Sequence, residues 1–304
     1  MNPVYSRRSW LAATAMTSVA GVSQAALRRL EKPQQLVVLH TNDTHSYLEP
    51  FPADHPRYPG QGGAARRATL VKQIRQQHKH VLLLDSGDFF QGTPYFNFFG
   101  GEIEIKTMSA LKYDVATIGN HDFDNGVKGL AKQLQHASFE LVSANYDVTS
   151  KDLAPHVTPS TTRQLGQVKV GIFGLGIELS GLVLPAWHKG VTYQDPIGIA
   201  KRTVAHLKKQ GCQLIICLSH LGYKYDGDKV SDLALANEVS GIDLILGGHT
   251  HTFMREPKII KQSATRQTLI HQVGWAGLRL GRIDIMFSPD GYALQTNAGR
   301  YRIA

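Results

Sequence analysis

Apolar and polar positions alternate along this chain in two distinct rhythms. Short apolar runs bounded by Gly, Asp or Asn read as buried strands, and between them apolar residues recur three and four apart, as on one face of a helix. "QLVVLH" (35–40) is a predicted strand, followed by a helix in "GAARRATLVKQIRQQ" (63–77) and a second strand in "VLLLD" (81–85). "EIEIKTMSALK" (102–112) and "GVKGLAKQLQ" (126–135) are predicted helices on either side of a strand at 114–119, and "FELVSAN" (139–145) is a fourth strand. Strands at 168–175, 214–220 and 243–249 follow, with helices near 196–210 and 229–239 between them. From Ile259 the pattern becomes short strands and turns, "TLIHQV", "RLGRIDIMFS" and "YALQTNAGRYRI", the last two joined at "SPDG". Strand–helix alternation predicts an α/β fold with mostly parallel strands, and the tail adds antiparallel ones. Without repeats or a long linker, a single domain is expected.

Composition changes this picture little. The 304 residues are 42% hydrophobic and 19% charged, ordinary for a globular chain with a sizeable core. The formal charge of +9 raises the question of a nucleic-acid partner. The basic residues are scattered and no basic–aromatic ladder is present, so no nucleic acid is expected; a basic exterior also gathers phosphate anions. After the N-terminus no apolar run approaches the roughly 18 residues that span a bilayer. The first 26 residues stand apart: "SRRSWLAATAMTSVAGVSQAA" sets Arg7 and Arg8 before a mildly apolar, Ala-rich run that ends in small residues. This resembles a twin-arginine export signal with cleavage near Ala25 or Ala26, which implies a periplasmic or exported chain of charge 9 − 2 = +7 with no remaining membrane segment. The two cysteines, Cys212 and Cys217, flank one predicted strand and read as small buried apolar residues.

The candidate chemistry gathers where strands end. In α/β sheets ligands bind beyond the carboxyl ends of strands. There lie Asp43 and His45 in "TNDTH", Asp88 in "SGD", Asn120 and His121 in "GNHD", His220 in "LSH", and His249 and His251 in "GHTH". A lone D-x-H is more often a solvated loop, and a lone strand-end His more often a structural one. Five strand ends carrying such groups in order point to metal. Oxygen and imidazole ligands without thiolate suit hard to borderline divalent cations. Seven candidates (Asp43, His45, Asp88, Asn120, His220, His249, His251) exceed one tetrahedral ion and suit two ions that share a ligand, a carboxylate bridge from Asp43 or Asp88. The D-x-H and H-x-H pairs are expected to put alternate side chains on one side of an extended segment, within reach of the same ion.

"DTH … SGD … GNHDFD … SHLG … GGHTH" resembles the signature of the calcineurin-like metallophosphoesterases. "VVLHTNDTHSYLEP", "GGAARRATLVKQIR", "LLLDSGDFFQGTPYFNFFGG" and "IGNHDFDNG" are similar to the catalytic domain of the bacterial periplasmic 5′-nucleotidase/UDP-sugar hydrolase family, from about Gln35 to about Phe287. The resemblance implies a four-layer α/β/β/α sandwich, of the metallo-dependent phosphatase type, around two divalent ions. It implies that Asp43, His45, Asp88 and His251 hold the first ion, with Asp88 bridging, and that Asn120, His220 and His249 complete the second. His121 becomes the residue that stabilises the transition state, oriented by Asp124, which raises its pKa. Asp122 has no ligand role and is expected behind the ligands or as a helix N-cap, and Gly119 and Gly126 are expected to allow a tight turn. Two dications, two carboxylates and a hydroxide sum to 4 − 2 − 1 = +1, which attracts a phosphate monoester such as a nucleotide. A hydroxide bridging the ions would attack phosphorus in line, while His121 stabilises the developing charge or protonates the leaving alkoxide.

The sequence departs from that family in two places. Many members carry Gln where this chain has His251, and the extra nitrogen favours Zn²⁺ or Mn²⁺ over Mg²⁺. Two-domain members continue into a nucleotide-binding domain, so a separate chain supplying it is one expectation. A broader set of esters is another, phosphodiesters and nucleotide sugars included. "YFNFF" (95–99) reads either as a substrate contact or as an apolar cap on the next helix. Tyr47, Tyr58, Tyr223 and Tyr225, on loops 47–60 and 223–229, are candidate specificity elements. His40 is expected to hydrogen-bond in the core, and His271 and the other histidines to be structural or superficial.

Overall fold

The computed structural model describes residues 32–264, 266–289 and 291–303; the export segment with Arg7 and Arg8 lies outside the described residues. In chain order the elements are β1 (Gln34–Thr41), α1 (Ala64–Gln77), β2 (Val81–Asp85), α2 (Pro94–Phe99), α3 (Glu102–Ala110), β3 (Val115–Ala116), a 3₁₀ turn (His121–Phe123), α4 (Gly126–Leu134) and β4 (Glu140–Val142). There follow β5 (Tyr146–Val148), a 3₁₀ turn (Ala154–His156), β6 (Val157–Thr158), β7 (Ser160–Leu165), β8 (Val168–Leu175), β9 (Val191–Tyr193), α5 (Pro196–Lys209), β10 (Leu214–Ser219), α6 (Asp232–Glu238) and β11 (Leu244–Gly247). The last strands are β12 (Lys258–Lys261), β13 (Gln267–His271), β14 (Arg279–Ser288) and β15 (Gly291–Arg302).

Two sheets face each other. One has the order β15-β14-β1-β2-β3-β4-β6 and the other β12-β13-β11-β10-β8-β7. In the first sheet β1, β2, β3, β4 and β6 run parallel, as do β8, β10, β11 and β13 in the second. The period-2 pleat explains the layering. In β1, Leu36 and Val38 point between the sheets, onto Ile172, Ile216 and Leu246, whereas Val37 and Leu39 point outward onto the layer that includes α1, α3 and α4. The outer face of the second sheet is closed by α5 and α6 through Phe173, Val204, Leu207 and Leu235. The result is the expected α/β/β/α sandwich. Helix starts follow capping chemistry where it is available: Asp195 accepts from the amides of Ile197 and Gly198 ahead of Pro196, and Ser231 accepts from Ala234. Among the described residues no helix is long and apolar enough to cross a membrane.

Several expected elements change. The strand at 114–119 shrinks to two residues, because the backbone after Ala116 turns to deliver Asn120 and His121. The segment 95–99 is a helix of its own, α2, which the sequence reading did not separate. In the C-terminal segment β13 pairs parallel with β11, whereas β14 and β15 cross to the first sheet as antiparallel edge strands. Both cysteines are buried and free, as expected.

Candidate metal centre

The parallel strands of both sheets end on one side of the sandwich, and the loops that leave them meet there. β1 leads to Asp43 and His45, β2 to Asp88, β3 to Asn120 and His121, β10 to His220, and β11 to His249 and His251. Side-chain ligand atoms form two groups, Asp43–His45–His251 and Asp88–His220–His249, each within 4.8 Å. His45 Nε2 lies 3.0 Å from His251 Nε2, and His251 Nε2 lies 3.3 Å from Asp43 Oδ1. Asp88 Oδ2 is 3.0 Å from His220 Nε2 in its own group and 3.8 Å from His45 Nε2 in the other, so this oxygen stands between them. Asn120 Oδ1 is 2.9 Å from His249 Nδ1, which places the amide beside the second group.

Backbone conformation sets these directions. Asp43, His45, Asp88, His249 and His251 all have positive φ, between 46° and 69°, so five of the seven candidate ligands occupy the left-handed region. The expectation of extended D-x-H and H-x-H segments is therefore corrected. Asp43 and His45 still converge, but His249 and His251 divide between the two groups. A left-handed non-glycine residue costs of order 1–3 kcal/mol and persists only where its surroundings fix it. Here the loops lock one another. Asp43 N donates to Gly87 O, His45 N to Asp88 O, Ser46 N to Phe89 O and Ala276 N to Asp43 O, while His249 N donates to the Asp43 carboxylate.

Asp122 locks the loops most tightly. It is fully buried and accepts four amides: Gly119 N at 2.7 Å and Asp88 N at 3.0 Å on Oδ2, and Phe89 N at 3.0 Å and Phe90 N at 3.2 Å on Oδ1. One carboxylate thus ties the loop of Asp88 to the turn that carries Asn120 and His121; of the two expected roles, the N-cap is not the one found. Burial, then the Asp88 charge, pushes this carboxyl up toward about 8. A proton on either oxygen would face two N–H donors and no acceptor, so the geometry accommodates the carboxylate. Gly119 is needed for close approach, since a Cβ there would occupy the place of the Asp88 carboxylate, whereas Gly126 is needed for its φ of 69°.

The donor set fits metal. His45 Nδ1 donates to Phe90 O and His220 Nδ1 to Ser86 O, which fixes the tautomers and leaves both Nε2 atoms as ligand atoms. His220 Nε2 is buried and lacks a properly directed hydrogen-bond partner. His45 Nε2 and His251 Nε2 face each other 3.0 Å apart, within reach of one cation. Burial lowers the pKa of His45 against the pull of Asp88 and Asp43, and burial followed by the charge of His220 lowers His249 to about 4, so both are neutral, as ligands must be. Burial opposes charge on His220, but the Asp88 carboxylate outweighs it and pushes the imidazole up to about 10; His220 likewise holds Asp88 below the usual carboxylate range against its own burial. That mutual attraction is what a cation between them would replace.

His121 sits at the rim, its ring centroid 5.3 Å from that of His45. Its Nδ1 is 2.7 Å from Asp124 Oδ2, and that hydrogen bond holds its pKa above the ordinary value against partial burial. Its backbone N donates to Asp88 Oδ1 at 2.8 Å. The sequence reading missed several supports that carry no local signal. Gln272 donates to Gly248 O and accepts from Thr250 Oγ1 and Thr252 N, holding the loop of His249 and His251. Ser219 donates to the buried Asp232 behind His220, and Asn42 donates to Asp43 Oδ2 and Gly274 O. Of the candidate tyrosines, Tyr47 and Tyr58 join an aromatic cluster with Phe51 and Trp275, while Tyr225 donates to Leu221 O. His40 and His271 form a fully buried pair, 2.9 Å apart, between β1 and β13.

Comparison with known proteins identifies the family. The model of the calcineurin-like phosphoesterase family matches residues 36–253. The snake venom 5′-nucleotidase of Crotalus adamanteus is 33% identical over 283 residues, 86% of this chain and 47% of that one, so the chain spans about half the length of this relative. The structure of a 5′-nucleotidase precursor from Thermus thermophilus superposes with a TM-score of 0.81 at 32% identity, over 88% of this chain and 54% of that one. The Haemophilus influenzae NAD nucleotidase does so with a TM-score of 0.74 at 28% identity, over 89% and 50%. On the family match, this chain belongs to the calcineurin-like phosphoesterase family.

Proposed function

We propose that this chain is an exported two-metal phosphohydrolase that cleaves phosphate monoesters, 5′-nucleotides foremost. The observation that carries the reading is the pair of three-ligand groups with Asp88 Oδ2 between them and the His121–Asp124 dyad at their rim. Asp43, His45 and His251 hold one ion, Asn120, His220 and His249 the other, and Asp88 both. Four imidazoles among these ligands favour Zn²⁺ or Mn²⁺. When bound, two such ions neutralise phosphoryl charge and activate water. Asn120 brings an oxygen without adding negative charge. His121, its Nδ1–H held by Asp124, keeps Nε2 for the developing charge on the leaving oxygen, and its raised pKa keeps a proton available to that oxygen. The names of the relatives, 5′-nucleotidases among them, support the substrate class. The NAD nucleotidase similarity keeps a second reading open, cleavage of a nucleotide-bearing diphosphate at the same site. Arg7 and Arg8 are read as a twin-arginine signal, which makes the mature chain a periplasmic or exported one.

A panel of 5′-nucleotides, 3′,5′-cyclic nucleotides, dinucleotides and nucleotide sugars, incubated with metal-loaded protein, tests the reading. Free phosphate released from the 5′-nucleotides, and lost on chelation, is the expected result. Cleavage of diesters or diphosphates alone overturns the monoester assignment.

A further inference from the structure

The loop that carries His45 runs directly into an apolar cavity outside the ligand groups. Its walls are the segment after His45, with Tyr47, Glu49 and Phe51, and α2, with Tyr95, Phe98 and Phe99; it encloses about 300 Å³. That volume lies at the lower end of small-molecule sites, roughly 300–1,000 Å³, and suits one ring system. Residues of its walls are linked through side-chain contacts to the metal centre on two sides, and Ser46, the residue after His45, lines it. Trp275 lies nearly parallel to His251 with ring centroids 5.8 Å apart, Tyr47 stands edge-on to Trp275 at 5.2 Å, and Tyr47 stacks on Phe51 at 5.0 Å. On the other side α2 ends at Gly100, whose carbonyl accepts from the amide of Asn125, the residue after Asp124.

The exposure of α2 is unusual for a short amphipathic element. Phe96 is buried, yet Phe98 is 82% and Phe99 49% exposed beside the cavity. Large aromatic faces left in water next to a concave apolar wall mark a binding surface. The lining presents ring faces, and its one charged group is Glu49, which accepts from the Tyr95 hydroxyl at 3.1 Å. A guest held here is therefore planar and apolar on its faces.

We propose that this cavity is the subsite for the alcohol part of the ester, taking a planar aromatic ring such as a nucleobase against Tyr95, Phe98 and Phe99. The proposal rests on the phosphomonoesterase reading above. It also predicts loose discrimination among bases, because stacking is indifferent to the pattern at the base edge.

The test compares adenosine 5′-monophosphate with ribose 5-phosphate, an ester that differs in lacking the base. Wild-type metal-loaded protein and a variant carrying Phe98→Ala and Phe99→Ala are measured side by side. Both side chains are substantially exposed, so their truncation leaves the core intact. The expected result is a wild-type preference for the base-bearing ester of about tenfold, within the range for one base on an aromatic side chain. The variant should lose it through KM, with ribose 5-phosphate turnover unchanged. Equal loss on both esters, or no wild-type preference, overturns the proposal. Equilibrium dialysis with adenosine, which has no phosphate, separates the two ideas. Adenosine binding that the variant loses supports the cavity even where no ester is hydrolysed, and absence of adenosine binding overturns it whatever the esterase activity.

Discussion

Asp122→Asn is a test of how the bridging carboxylate is held. The wild-type side chain accepts two amides on each oxygen, Gly119 and Asp88 on one, Phe89 and Phe90 on the other. Asparagine keeps one oxygen and turns an NH₂ group toward the second pair of donors. Whichever way the amide sits, two buried N–H groups lose their acceptor. Each costs about 1–3 kcal/mol, so the loss should be about 2–6 kcal/mol. A domain stable by about 5–15 kcal/mol should still fold, with a lower midpoint in urea at unchanged slope. Because Asp88 N and Gly119 N share one oxygen, the strain reaches both metal groups. Elemental analysis should show fewer than two ions per chain at metal concentrations that saturate the wild type. Asp124→Asn makes the same charge change at the rim, where only His121 is affected, and should keep both ions. A urea midpoint within error of wild type, with both ions retained, would mean that Asp122 is a neutral acid and refute the four-acceptor account.

Further outcomes are expected. Metal-replete protein should contain two divalent ions per chain, with Asp88→Ala losing both and His251→Ala mainly one, as read by elemental analysis. His121→Ala should retain its metals while kcat falls by roughly 10²–10⁴-fold on alkyl esters and by less on nitrophenyl phosphate, whose leaving group needs little protonation; steady-state kinetics on the two esters measure this. Burial pushes the Asp243 carboxyl up to about 6 from 3.8, against the Ile215 amide that it accepts. Folding therefore retains a proton that the unfolded chain has released, and this contribution is full below about pH 4 and lost as pH rises through about 6. The wild type should lose up to about 3 kcal/mol relative to Asp243→Asn across that window in urea titrations, from 1.36 kcal/mol per pKa unit. Replacing Arg7 and Arg8 by Lys should leave unprocessed precursor in the cytoplasm, visible by fractionation.

The sequence by itself determined the elements whose burial is one-dimensional. β1, β2, β10 and α1 are legible because each has an uninterrupted apolar run or a clean helical stripe, and Arg279–Ser288 is legible from its alternation alone. The polar clusters at strand ends were legible jointly, since five strand ends carrying Asp, Asn or His in order point to a site where any one alone would not. What tertiary structure decided depends on contacts remote in sequence. β13 joins β11 while β14 crosses to β1, a choice fixed by which apolar face each strand has to cover. The division of His249 and His251 between two groups follows from left-handed backbone at both, held by Gln272 just after β13, and no local pattern encodes that. The role of Asp122 is invisible in "GNHDFD", because three of its four partners lie 32 to 34 residues away on another loop. Likewise "YFNFF" shows its apolar content in the sequence, but only the packing of α2 reveals that Phe96 is buried while Phe98 faces water beside the cavity. Periodicity reports what an element buries, and only the assembled loops report what they hold in place.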